Sequence, residues 1–198
     1  MPAPGSTPIF HDFIKPCLPC VTLLPPSGEE WLHEIKHFGH RLIVRRDGDG
    51  IRLFTERGED WTGFFPRVVE AVGHIAARSC IMDGELVRCD DHGKPTTGPL
   101  RDEGTSEKGA AFYAFDLIEV NGFDLRRDPI EDRKRVLAHL LRRPPDGIRL
   151  NPQFEKGGGE GLLRQVSRLG FEGVLSRRRG SRYLSGRCPD WLLSRKLD

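Results

Sequence analysis

The sequence predicts an α+β fold, with antiparallel strands in groups and helices interspersed between them. Three observations carry that reading. Short apolar runs of strand character cluster at Trp31 to Lys36, Arg41 to Arg46 and Ile51 to Thr55. Asp47-Gly48-Asp49-Gly50 joins the last two, and an Asp-Gly turn between apolar runs is a strong hairpin signal. Three later stretches carry the 3.6-residue apolar period of helices instead.

Taken in order, residues 1–23 read as a Pro-rich, irregular tail whose apolar residues Phe10, Phe13, Ile14 and Leu18 pack partly on the domain that follows, residues 24–198. After the hairpin, Phe65, Val68, Val69, Val72, Ile75 and Ala76 recur at helical spacing, and Pro66 suits a first turn. Ile81 to Cys89 returns to strand character. Residues 90–110 are polar and Gly-rich without periodicity, and read as a mobile loop. Phe112 to Val120 reads as a buried strand closed by Asn121-Gly122. Asp128-Pro129-Ile130-Glu131 is a helix start with a capping box, and Val136, Leu137, Leu140 and Leu141 form its apolar face. Leu162, Leu163, Val166 and Leu169 mark a third helix stopped by Gly170. Phe171 to Lys196 reads as strands and turns.

Composition narrows the class. In 198 residues, 37% are hydrophobic and 30% charged, which fits a globular chain with a real core rather than a disordered one. No run approaches the roughly 18 apolar residues of a membrane span, and the start has no basic stretch followed by an apolar core, so a cytoplasmic protein without membrane partners is expected. Net charge is only +2, yet Arg177, Arg178, Arg179, Arg182 and Arg187 fall within eleven residues and are candidates to meet phosphates. The five cysteines are odd in number and irregularly spaced, which argues against a disulfide framework. Cys17-Leu18-Pro19-Cys20 is a lone C-x-x-C in a Pro-rich setting, short of the four ligands of a zinc site.

The chemistry concentrates in Glu34-Ile35-Lys36-His37-Phe38-Gly39-His40-Arg41. A lysine amine at a strand end can attack the α-phosphate of a nucleotide once its pKa is lowered enough to free the lone pair. Gly39 would admit close backbone approach to the nucleotide, and Arg41 would hold a phosphate or sugar oxygen. Alone, these residue types fit a solvated hairpin entrance equally well. The segments that follow in order are Met82-Asp83-Gly84-Glu85-Leu86-Val87, Phe112-Tyr113-Ala114-Phe115-Asp116-Leu117, Phe171-Glu172-Gly173-Val174-Leu175-Ser176-Arg177 and Asp190-Trp191-Leu192-Leu193-Ser194-Arg195-Lys196.

This ordered series resembles the motifs of ATP-dependent DNA ligases, and most of all the bacterial type of non-homologous end-joining repair. The resemblance covers roughly residues 15–196. It implies an ATP-grasp-like nucleotidyltransferase (adenylation) domain with antiparallel sheets flanked by helices, ATP and Mg2+ as cofactors, and DNA with nicked or broken ends as partner. It implies Lys36 as the nucleophile that carries AMP, and Glu34 as acceptor from the adenine amino group. Arg41 would lie on the nucleotide sugar or nick phosphate, and Arg57 on phosphate or ribose. Glu85 would bind the ribose hydroxyls, Phe115 stack on adenine, Glu172 hold the metal, and Arg177 and Arg195 face the α-phosphate.

The chain departs from the family pattern at defined points. Phe38 stands where the first motif has an acid. Arg177 replaces a lysine, and Leu193 and Arg195 replace the two lysines of the last motif. Losing one such donor costs about 10²–10³ in rate. Residues 92–108 lack the aromatic-containing segment expected after the third motif, and the sequence holds no OB-fold domain, which an OB-fold or end-joining protein in trans would supply. These departures predict weak or absent unaided nick sealing. The alternative they raise is a ligase-fold module that binds nucleotide or DNA without turnover.

Overall fold

Residues 13–90, 92, 94–96, 109–154 and 158–196 are described by the computed structural model. A five-stranded sheet runs in the order β1 (Cys17–Val21), β11 (Gly186–Arg195), β10 (Gly173–Arg178), β2 (Trp31–Lys36), β9 (Gln153–Phe154). A second sheet runs β4 (Gly50–Thr55), β3 (His40–Asp47), β5 (Cys80–Arg88), β6 (Ala110–Val120), β7 (Phe123–Asp124), and β8 (Ile148–Leu150) joins it beside β6. Only β1 with β11 and β8 with β6 pair in parallel; the other described ladders are antiparallel. The helices are α1 (Pro66–Gly73), α2 (Ile130–Leu140) and α3 (Gly159–Arg168). The α+β class read from the sequence is the class observed.

Strand alternation sorts the side chains into three apolar layers. On β3 and β5, Leu42, Val44, Met82 and Leu86 turn to α1, where Val68, Ala71 and Val72 meet them together with Leu137 of α2. Ile43 and Ile81, on the opposite parity of the same strands, turn to the other sheet and meet Leu32, Trp191 and Cys188. The far face of the five-stranded sheet is closed by α3, whose Leu162, Leu163 and Val166 cover Val174. A sheet buried on both faces needs apolar residues at both parities, and so β6 reads as a continuous apolar run.

Two local expectations give way. The Pro-rich lead-in, read as an irregular tail, contributes β1: Cys17–Val21 pairs with β11 from Cys17↔Gly186 to Val21↔Leu193. A parallel edge strand of five residues has too few apolar positions to show a period, and Pro19 masks it further. The capping box at α2 does not form. Pro129 is the N-cap, no side chain caps the turn, and Glu131 accepts from Gly180 N at 2.8 Å instead. Val136, assigned to the apolar face of that helix, is 38% exposed. Phe10 and the loop segment 97–108 lie outside the described residues. No described helix is long and apolar enough to cross a membrane.

Candidate active site

Three strands of one sheet present matched rows to the gap between the sheets. Gly173 pairs with Lys36 on one side and Arg195 on the other. Leu175 pairs with Glu34 and Leu193, and Arg177 with Leu32 and Trp191. Gly173 leaves the first row open: a Cβ there would collide with the Ser194 carbonyl and Arg195 Cα. From the other sheet, Arg41 faces Glu85 across the β3–β5 ladder.

Phe115 reaches this gap through a break in the ladder. Asp83 pairs with Asp116 and Gly84 with Ala114, so Phe115 is the extra residue of a β-bulge. The bulge resets the parity of β6. Phe112 and Ala114 point to α1 and Phe115 to Trp191, with ring centroids 6.3 Å apart, and beyond the bulge it is odd-numbered Leu117 that returns to the α1 side.

The gap opens as a cleft of about 520 Å³. Lys36, Arg41, Arg57, Glu85, Phe115, Glu172 and Arg195 line it, which brings together seven of the nine residues singled out from the sequence. Lys36 Nζ is the centre of its polar end, donating to Glu85 Oε1 at 2.5 Å, Glu172 Oε2 at 2.9 Å and the His37 carbonyl at 2.8 Å. Burial disfavours the ammonium, but the two adjacent carboxylates outweigh it, and the Lys36 pKa is raised. Burial raises the Glu85 pKa in turn, against the pull of Lys36. Gly39 supports this centre in a way the sequence did not suggest. Its N–H donates to Glu85 Oε1 at 2.9 Å, and a Cβ at this position would strike the Leu86 carbonyl and the Glu85 side chain. The close approach is to β5.

Arg41 is fixed by a two-point ion pair with Asp83, at 2.9 and 2.6 Å, and Tyr183 donates to the same carboxylate at 2.6 Å. Arg195 stands 3.9 Å from Glu172 and is exposed at the mouth, as is Arg57. Phe115 contributes to the wall although it is only 3% exposed.

Glu34 and Arg177 lie behind that wall rather than in it. Glu34 is fully buried. Its Oε1 accepts from Lys134 Nζ at 2.5 Å, and its Oε2 meets the Arg177 guanidinium. Arg177, also fully buried, lies 4.4 Å from the Phe115 ring centre and 4.3 Å from that of Trp191. The basic run near the C-terminus is therefore not one surface. Arg178 stacks on Trp31 and pairs with Asp190, Arg179 donates to the Glu29 carbonyl, and Arg187 lies against Cys20.

Sequence reasoning missed several members. Lys134, next to Arg133 on α2, carries no signal of its own and acquires its role only when α2 packs on β6. Leu18 and Leu175 line the cleft and were given no site role from the sequence. Asp83, quoted within a motif but given no role, holds Arg41 from 42 residues along the chain.

Comparison with known proteins matches this geometry. Residues 19–193 match the family model of the ATP dependent DNA ligase domain. The chain is 35% identical over 192 residues to the multifunctional non-homologous end joining protein LigD of Pseudomonas aeruginosa, covering 95% of this chain and 22% of that protein. It is 32% identical to a probable DNA ligase of Streptomyces griseus, over 80% of this chain and 34% of that one. Among solved structures, mycobacterial DNA ligase D complexed with ATP and MES superposes with a TM-score of 0.79 at 26% identity, covering 93% of this chain and 61% of that one. The ligase domain of M. tuberculosis LigD gives 0.77 at 27% identity, over 92% and 59%. The chain thus spans about a fifth to a third of the curated relatives it matches. With a family model covering most of its length and these strands around a half-buried lysine, the chain belongs to the ATP-dependent DNA ligase domain family.

Proposed function

We propose that the chain is a nucleotidyltransferase that moves AMP from ATP to Lys36 and then to a DNA 5′-phosphate in strand-break repair. The observation that carries the reading is Lys36 Nζ, seated between Glu85 and Glu172 at the polar end of a cleft whose other end is apolar. A nucleotide lying along that cleft puts its base against Leu175, Phe115 and Trp191 and its α-phosphorus before the amine. The Nζ–P bond forms as pyrophosphate leaves, and in-line positioning supplies the rate. The amine must first lose a proton to solvent, which the Glu85 and Glu172 carboxylates oppose by holding it as an ammonium.

The donor set fits a divalent cation of the Mg2+ type. No cluster of three His, Cys, Asp or Glu side chains that could hold a metal occurs among the described residues. Two carboxylates converging on one cationic group suit an ion that takes one or two protein oxygens and fills its shell with water and phosphate. Such an ion supplies shielding of phosphate charge. Arg57 and Arg195 at the mouth would meet the phosphates of nicked or broken DNA.

A second reading, binding without turnover, is favoured by one feature. Leu193 puts an alkyl chain in the cleft where a cation is needed, and the Phe38 ring lies 5.9 Å from the Lys196 ammonium. An OB-fold or end-joining protein in trans would supply the missing charge. The test follows the label. With α-labelled ATP, Mg2+ and a nicked duplex, AMP is expected on the DNA 5′ end and absent with Lys36→Ala, while sealing is weak until Phe38→Asp and Leu193→Lys are introduced. No label on DNA from wild type or the restored variant, with ATP still bound, establishes the second reading.

A further inference from the structure

We propose that Asn151 is a positioning residue for Lys36: its carboxamide holds the chain on both sides of the lysine and so sets where the amine stands relative to the Phe115 wall. This deepens the AMP-transfer reading and rests on it. Asn151 lies outside every motif read from the sequence.

The chain changes sheets at this residue. β8 lies beside β6 in one sheet, with Leu150 paired to Ala114, and β9 lies beside β2 in the other, with Gln153 paired to Glu34. Only Asn151 and Pro152 separate the two strands. Pro152 has a fixed φ and confines the residue before it to extended backbone, so the crossing is short and stiff. The Asn151 N–H donates to the Ala114 carbonyl at 2.8 Å, one residue before Phe115. Its side chain reaches the other sheet. Nδ2 donates to the Ile35 carbonyl at 3.3 Å, and Oδ1 accepts from His37 Nε2–H at 3.0 Å. Residues 35 and 37 flank Lys36, so one side chain ties the backbone before the nucleophile and the ring after it.

Asn151 and His37 are both buried, so neither bond is replaced by one to water when it breaks. The His37 ring packs on Tyr113 and Phe171, with centroids 4.9 and 5.4 Å away, and its Nδ1 has no hydrogen-bond partner among the described residues. The His37 carbonyl in turn accepts from Lys36 Nζ at 2.8 Å, so a shift of His37 moves the amine. The place calls for a donor and an acceptor on one planar group, which aspartate and leucine do not offer. In-line transfer is sensitive to such a shift, since a misplacement of about 1 Å costs about 10²-fold. Nucleotide affinity is separable. The bond to Ala114 beside Phe115 is made by main chain and survives replacement of the side chain. The loss therefore falls on the limiting rate rather than on its dependence on ATP concentration.

The test is single-turnover transfer of AMP from α-labelled ATP to the full chain in Mg2+, followed against ATP concentration. Asn151→Ala removes both side-chain bonds, and Asn151→Asp keeps the volume but turns an acceptor towards the Ile35 carbonyl. Each is expected to lower the limiting rate at least about tenfold, while the ATP concentration at half that rate stays within about threefold of wild type. Val72→Ala, in the apolar layer under α1 on the far side of its sheet from the cleft, controls for lost stability. With its urea midpoint lowered, it is expected to keep the limiting rate within about threefold. A smaller fall in either folded Asn151 variant, a loss carried by the ATP dependence, or an equal fall in Val72→Ala overturns the inference and leaves AMP transfer standing. A wild type that takes up no AMP removes the transfer reading itself, and this inference with it.

Discussion

At Lys36 a single proton governs the chemistry. The amine is a nucleophile only when neutral, and Glu85 and Glu172 raise its pKa despite burial. The rate of AMP transfer to protein should therefore climb by about tenfold per pH unit between pH 7 and pH 9, as one proton is lost. A flat profile would show that the amine is already free. The neighbouring His37 titrates in the opposite sense. Burial lowers its pKa to about 4, only partly offset by the hydrogen bond that His37 Nε2–H donates to Asn151 Oδ1 at 3.0 Å. The unfolded chain takes up this proton near pH 6.5 and the folded chain not until about pH 4, so the stability His37 contributes is complete above pH 6.5 and lost below it. The loss should approach about 3 kcal/mol by pH 4. Urea titrations of wild type against His37→Gln check it, since the gap between the two should close by that amount on acidification. Neither behaviour was legible in the sequence, where Lys36 carried a motif but its two carboxylate partners stood far along the chain.

Among the elements, β10 has the narrowest tolerance. Gly173 lies between Lys36 and Arg195, and a methyl group there meets backbone of β11. Gly173→Ala should cost about 1–3 kcal/mol by overpacking and push β11 away from the lysine, so nucleotide affinity falls with stability. Calorimetric melting with and without nucleotide separates the two losses. Of the two strands flanking this glycine, β2 was readable because Trp31–Lys36 carries its own local signal, as does the β3–β4 hairpin of the other sheet. The bulge that presents Phe115 was not. A run buried on both faces has no alternation to interrupt, so an inserted residue leaves no trace in the pattern. The edge strand β1 was hidden for a related reason, since its pairing with β11 is specified by a partner more than 160 residues away.

For the whole molecule, function depends on two sheets held at a fixed separation, and the clamp is polar as well as apolar. Arg133 of α2 pairs with Asp116 of β6 at 2.8 Å through two nitrogens and also donates to the Ser181 carbonyl ahead of β11. All of it is buried, so removing one member leaves an uncompensated charge. Asp116→Asn should cost about 3–5 kcal/mol. Chemical denaturation would show it, and a loss under 1 kcal/mol would mean that the pair is not a clamp. The sequence showed the order of motifs, which placed seven residues in one cleft, but not the depth of each. Glu34 and Arg177 share strands with lining residues, yet sit behind the wall because Lys134 and two aromatic rings draw them inward. The central claim is that Lys36 receives AMP. The direct measurement is mass spectrometry of the protein after incubation with ATP and Mg2+, with the modified peptide sequenced. The account predicts one AMP on Lys36 and none on the Lys36→Ala protein. An unmodified Lys36 under saturating ATP, or AMP on another side chain, would contradict it.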